Sequence, residues 1–249
     1  MKGGSVLAGA AAPLRPAVDA TPYSIVELRQ YTLHDGKRDT LIDLFECYFI
    51  EPQEALGMKV IGTFRDLDRP NRFVWLRGFT DMDSRLAGLT DFYGGPVWKT
   101  HREAANATMI DSDDVLLLHA RSDWAAFKSF DERPSLGGKP GGLVVATIYH
   151  LRSPAEAERL FETTVKPELE KAGVPVLAWF MPQSAPNNYP RLPVREGEPV
   201  LVWFARFDSE AVRAAHASTV ESATAPLQPL LENPPEILRL EPTARSSLR

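Results

Sequence analysis

One short run of this chain occurs twice, and that repetition limits what the rest can become. Phe73-Val-Trp-Leu-Arg-Gly-Phe79 is a β-type run that ends at the helix-start sequence Thr80-Asp-Met-Asp83. Leu201-Val-Trp-Phe-Ala-Arg-Phe207, followed by Asp208-Ser-Glu210, repeats it without a gap. Bulky apolar and aromatic residues of this kind favour strands. Other pairs keep the same order: Tyr31-Thr-Leu33 matches Tyr149-His-Leu151, and the stretch from Pro52 to Phe64 matches that from Pro167 to Phe180. Self-similarity on this scale is the mark of a duplicated unit.

The local pattern defines the unit. Ser24 to Leu33 alternates with period two and predicts a strand. Leu41, Leu44, Phe45, Tyr48 and Phe49 recur at helical spacing up to a break near Pro52. Val60 to Phe64 is a short strand, and Asp68-Arg-Pro-Asn71 turns the chain into Phe73–Phe79. Asp81 or Asp83 caps a helical segment, interrupted at Tyr93-Gly-Gly-Pro96 and resumed from Trp98 to about Met109, before a strand at Val115–Leu118. The order is βαββαβ, a ferredoxin-like unit. Leu143–Leu151, Val176–Met181, Leu201–Phe207 and Ile237–Leu240 are the strands of the second unit, with helices between them. The fold class expected is α+β: two ferredoxin-like βαββαβ repeats forming a pseudo-dimeric α/β barrel, because each sheet leaves one face for another sheet to cover. The boundaries read as 23–120 and 143–242, with a Pro- and Gly-rich linker at 121–142 and a tail at 243–249. Residues 1–22 read as a flexible tail or the remnant of an export signal.

Composition narrows the partners. With 44% hydrophobic and 24% charged residues in 249, the chain is of globular type, and a net charge of −5 argues against nucleic acid. No stretch is long enough to span a bilayer, so a cytoplasmic protein is expected, with export as the alternative. The one cysteine, Cys47, is expected to pack as a small hydrophobe.

Several stretches together resemble the NIPSNAP family: Val26-Glu-Leu-Arg-Gln-Tyr-Thr-Leu33, His34-Asp-Gly-Lys37, a helix ending at Glu51-Pro52, the Gly57…Gly62-Thr-Phe64 strand, and Phe73-Val-Trp-Leu76…Phe79-Thr-Asp-Met82 with Trp98 beyond. The resemblance covers Ser24 to His119 and, more weakly, Leu143 to Leu240. It implies a dimeric α/β-barrel fold, whose superfamily includes cofactor-free monooxygenases, lyases, isomerases and haem enzymes. It does not fix the activity.

The smooth aliphatic sides of the strands, Val26 and Leu28, then Val74, Leu76 and Gly78, are assigned to the helices. Glu27, Arg29 and Tyr31 then enter the barrel lumen beside Phe73, Trp75, Arg77 and Phe79. A buried carboxylate with two guanidinium groups must pair internally or meet a ligand. An anionic or carbonyl-bearing molecule between Arg29 and Arg77 is one expectation, and an ion-pair network that fixes register is the other. The second repeat has Val145, Thr147 and Ala205 where the first has Glu27, Arg29 and Arg77, while Tyr149 and Trp203 keep the places of Tyr31 and Trp75. One polar and one apolar wall suit an amphipathic or aromatic small molecule.

Arg77, Glu27, Tyr31 and His101 are therefore the catalytic candidates for a cofactor-independent oxidoreductase, isomerase or lyase, with Arg29, Trp75, Phe79, Tyr149 and Trp203 as substrate contacts. The alternative is a non-catalytic binding or assembly protein with a side-chain-filled barrel. His34, His101, His119, His150 and His216 have no metal-binding spacing, and His216 is the candidate if haem is bound. No phosphate loop, nucleophile elbow or dinucleotide fingerprint is present, so no cofactor or metal is expected. A homo-oligomer is expected from strand edges that support further pairing.

Overall fold

The computed structural model describes residues 23–249 except 124, 129, 131, 132, 139 and 140. The reading of residues 1–22 lies outside this range. The first half runs β1 (Ile25–Leu33), α1 (Arg38–Tyr48), α2 (Ile50–Glu54), β2 (Lys59–Asp66), β3 (Arg72–Phe79), α3 (Met82–Gly94), α4 (Pro96–Asn106) and β4 (Met109–His119). The second runs β5 (Leu143–His150), α5 (Pro154–Leu160), α6 (Lys166–Lys171), β6 (Val176–Pro182), β7 (Val200–Phe207), α7 (Glu210–Ala215), α8 (Ala217–Thr224) and β8 (Glu236–Pro242). A π-helical segment at Phe161–Val165 joins α5 to α6, and a 3₁₀ segment at Ala225–Leu230 follows α8.

The eight strands close into one barrel, in the order β1-β3-β2-β8-β5-β7-β6-β4. Each half contributes the same four-strand order, and the halves meet along two seams. Phe64 to Asp66 pairs with Leu240 to Pro242 at one, and Leu118 and His119 pair with Pro182 and Met181 at the other. The two echoed runs, β3 and β7, hold equivalent positions down to the register. Glu27 lies opposite Arg77 and Arg29 opposite Trp75, just as Val145 lies opposite Ala205 and Thr147 opposite Trp203.

The assignment of strand faces is reversed. Val26, Leu28, Val74, Leu76, Leu116 and Leu118 join Val144, Ala146, Ile148, Val202 and Phe204 in one core that spans both halves. Trp75, Phe73, Phe79 and Tyr31 instead pack with Leu41 and Phe45 of α1 and Leu89 and Phe92 of α3. The aliphatic sides therefore line the lumen and the polar sides face the helices. An eight-stranded barrel is narrow enough for side chains to fill, and here the faces without hydrogen-bonding needs turn inward. The interior is tight: a Cβ on Gly78 would lie 2.8 Å from Tyr23 Cβ and 2.9 Å from Ile61 Cδ1.

Two supposed spacers also belong to the core. In the linker region, Ala125, Ala126 and Phe127 are buried, and the Phe127 ring sits 5.5 Å from Phe180 and 5.3 Å from Phe204. In the supposed tail, Thr243, Ser246 and Ser247 are buried. Thr243 Oγ1 donates to Glu46 Oε1 at 2.6 Å, the Thr63 amide donates to Ser246 Oγ at 3.2 Å, and Arg245 pairs with Glu51. Cys47 is exposed, since the buried face of α1 carries Leu41, Ile42, Phe45 and Glu46.

Candidate functional site

Each half has a space between its sheet and its helices, and the two are filled differently. In the first half, Glu27 on β1 is the hub. Its Oε2 accepts from Arg77 Nε at 3.0 Å, Arg77 Nη2 at 2.6 Å and Arg29 Nη1 at 3.0 Å. Its Oε1 accepts from Arg85 Nε at 2.9 Å, with Arg85 Nη2 2.7 Å away. All four residues are 0% exposed. Arg77 Nη1 also donates to Gln53 Oε1 at 2.9 Å, and Arg29 Nε to the Tyr31 hydroxyl at 2.9 Å. Arg85 Nη1 reaches across to the second half, donating to Asn187 Oδ1 at 3.0 Å and Asn188 Oδ1 at 2.6 Å. Arg77 lies over the Trp75 ring at 4.9 Å and over Phe79 at 5.5 Å, the geometry of cation–π contacts.

Burial by itself would push the Glu27 carboxyl up. The charges of Arg77, Arg29 and Arg85 outweigh it and hold the group well below the usual carboxylate range. Arg85 responds in the opposite sense, with burial lowering its pKa and Glu27 only partly restoring it. Beside this cluster remains a cavity of about 30 Å³, lined by Tyr31, Phe45, Phe49, Gln53, Trp75 and Tyr93 among others.

The second half repeats the frame without the ions. Val145, Thr147, Tyr149, Trp203, Ala205 and Phe207 form the floor of a cavity of about 240 Å³, roofed by Ala217, Val220, Glu221 and Thr224 of α8. Its edge carries Arg213, which α7 ties back to Glu210 at 2.7 Å. Burial raises the pKa of the Tyr149 phenol, while Trp203 and Thr224 beside its hydroxyl pull the other way. Trp203 Nε1 is buried beside that hydroxyl.

The structure thus brings Glu27, Arg29, Tyr31, Trp75, Arg77 and Phe79 together, but under the helices, and places Tyr149 and Trp203 at the other cavity. His101 joins neither group. Its ring stacks on exposed Tyr48 at 4.0 Å, with Phe49 as its other ring neighbour. His216 Nδ1 lies 2.9 Å from the Val212 carbonyl. Among the described residues no cluster of three or more His, Cys, Asp or Glu is arranged to hold a metal, and no helix is long and apolar enough to cross a membrane. Sequence reading missed Arg85, Gln53, Asn187 and Asn188. Arg85 had a signal: with Gly88, Leu89 and Phe92 it falls on the buried stripe of α3 at helical spacing. The asparagines had none.

Comparison with known proteins agrees with the architecture. The family model for NIPSNAP proteins matches residues 26–123. No curated protein matches the sequence. Among solved structures, a provisionally named monooxygenase from Fusobacterium nucleatum superposes with a TM-score of 0.59 at 8% identity, covering 88% of this chain and 91% of its own. One from Lactobacillus acidophilus gives 0.57 at 14%, covering 90% and 96%. An anthrone oxidase-like protein gives 0.57 at 12%, covering 91% and 94%. At these identities the likeness is one of fold.

Proposed function

The chain carries a NIPSNAP unit in its N-terminal half, and we propose that its working site is the cavity of the other half, which binds a compact, uncharged and largely apolar molecule of one or two aromatic rings. The observation that supports this reading is the difference in open space between equivalent positions, about 240 Å³ against about 30 Å³. An apolar cavity of ~150 Å³ holds a benzene ring, so the larger one has room for a ring with substituents or for two fused rings. Val145, Ala205, Ala217 and Val220 offer apolar contact. Thr147, the Tyr149 hydroxyl and Trp203 Nε1 offer hydrogen bonds to one polar group. No ionic side chain stands on the floor, which disfavours a charged ligand. Burying about 200 Å² of apolar ligand surface contributes ~5 kcal/mol, an affinity in the upper micromolar range.

In this reading Tyr149 and Trp203 contact the ligand. Glu27, Arg77, Trp75 and Phe79 hold the first sheet to its helices, and His101 has no part. The test is titration of 2-naphthol followed by Trp fluorescence and calorimetry, against Ala205→Leu, which narrows the cavity. The reading expects saturable binding that weakens at least tenfold in the variant, and unchanged binding would contradict it. Oxygen uptake by the ligand-saturated protein separates turnover, the activity named for the fold neighbours, from binding alone. The packed lumen supports a second reading, a non-catalytic assembly protein, which expects no small-molecule binding at all.

A further inference from the structure

The first half's cavity has a different chemistry, and the geometry points to a second site there: a seat for a compact monovalent anion, of halide or formate size. Three guanidinium groups share one carboxylate, a formal sum of +2. Among the described residues Glu27 is the only carboxylate in ion-pair contact with Arg29, Arg77 or Arg85. Ring faces attract these cations but do not neutralise them, and a buried charge without a counter-charge is strongly disfavoured.

The hydrogen-bond inventory around the cavity gives the sign of the occupant. Trp75 lines it, and its Nε1 is buried with no acceptor among the described residues. The Tyr31 hydroxyl accepts from Arg29 Nε, and the Tyr93 hydroxyl accepts from Arg77 Nη1 at 3.5 Å, which leaves each O–H to donate. Gln53 Oε1 is engaged by Arg77, and one amide hydrogen goes to the Phe49 carbonyl at 2.9 Å, which leaves the second amide hydrogen to donate. Arg29 stands behind this wall, its guanidinium carbon 5.4 Å and 5.6 Å from the Tyr31 and Trp75 ring centres, and its Nη2 also lacks an acceptor. The two atoms here that lack any partner among the described residues, Trp75 Nε1 and Arg29 Nη2, are both donors. A water molecule there could accept from these donors but would leave the charge uncompensated, and a cation would meet +2. An anion satisfies both the donors and the charge.

Size limits the class. A cavity of about 30 Å³ takes an occupant of roughly one water's volume, which excludes sulfate, phosphate and larger carboxylates. Tyr93 and Trp98 at its edge are only half-buried, so an ion has a way in.

The experiment is diffraction from crystals of the full chain soaked in sodium bromide, with anomalous data at the bromine edge, and in parallel soaks in sodium formate. The expected result is an anomalous peak within hydrogen-bonding distance of Trp75 Nε1 and the Tyr31 or Tyr93 hydroxyl. Formate density at the same place, with or without bromide, also supports the proposal and identifies the anion as a carboxylate. In solution, bromide should raise Tm along a saturating curve, with a midpoint shifted at least fivefold in Tyr93→Phe, whose half-buried position tolerates the change. Absence of both ions from the site after molar soaks, or equal bromide curves for the wild type and Tyr93→Phe, would overturn it.

Discussion

The two halves share a strand register and differ in what stands on it. Glu27 opposite Arg77 becomes Val145 opposite Ala205, and Arg29 opposite Trp75 becomes Thr147 opposite Trp203. Backbone hydrogen bonding therefore does not distinguish a closely filled ionic core from an open cavity. Side-chain volume and charge do. Removing two arginines' worth of side chain in the second half leaves space under α8, and the first half fills the same space with guanidinium groups gathered on a shared carboxylate.

The largest expected effect breaks the ionic half. Glu27→Gln leaves three buried cations without their counter-charge, and removing one partner of such a pair costs about 3–5 kcal/mol. Urea denaturation should show the loss as a lower midpoint at unchanged slope. Next, Arg77→Leu should cost ~3 kcal/mol by the same reasoning, because Glu27 and Gln53 lose their shared donor. Ala205→Leu, the same new side chain at the equivalent position, enters a cavity and should change stability by less than about 1 kcal/mol in either direction. If both leucine variants proved equally disruptive, the halves would not differ in the way described.

A pH series sharpens the same contrast. The Glu27 pKa is depressed in the folded state, so its contribution is fully present above the unfolded carboxylate value of ~4.3. It diminishes as pH falls below that value and is gone once pH drops through the folded one. The stability gap between wild type and Glu27→Gln should thus stay constant from pH 7 to about 4.5 and narrow only at lower pH. The smallest effect is at the surface. Arg239→Ala removes exposed pairs with Asp68 and Glu210 and should lower stability by no more than ~1 kcal/mol.

The repeat and the strand order were legible because alternation, turn residues and the Trp75 and Trp203 positions are local properties of the chain. The direction of each face was not. Both faces of these strands are buried, and alternation shows that two faces differ without showing which one meets a helix. Arg85 was legible in principle from its place on the apolar stripe of α3. Thr243 to Leu248 and Phe127 were not, since their partners Glu46, Thr63, Phe180 and Phe204 are far away in sequence. The larger cavity is a difference of volumes between two layers, and no single residue announces it.

The most direct measurement is a crystal structure of the protein with 2-naphthol bound. The account predicts ring density between Trp203, Tyr149 and Val220, no naphthol beside Glu27, and loss of that density in Ala205→Leu. Naphthol found in the barrel lumen or under α1, or retained unchanged by the variant, would contradict it.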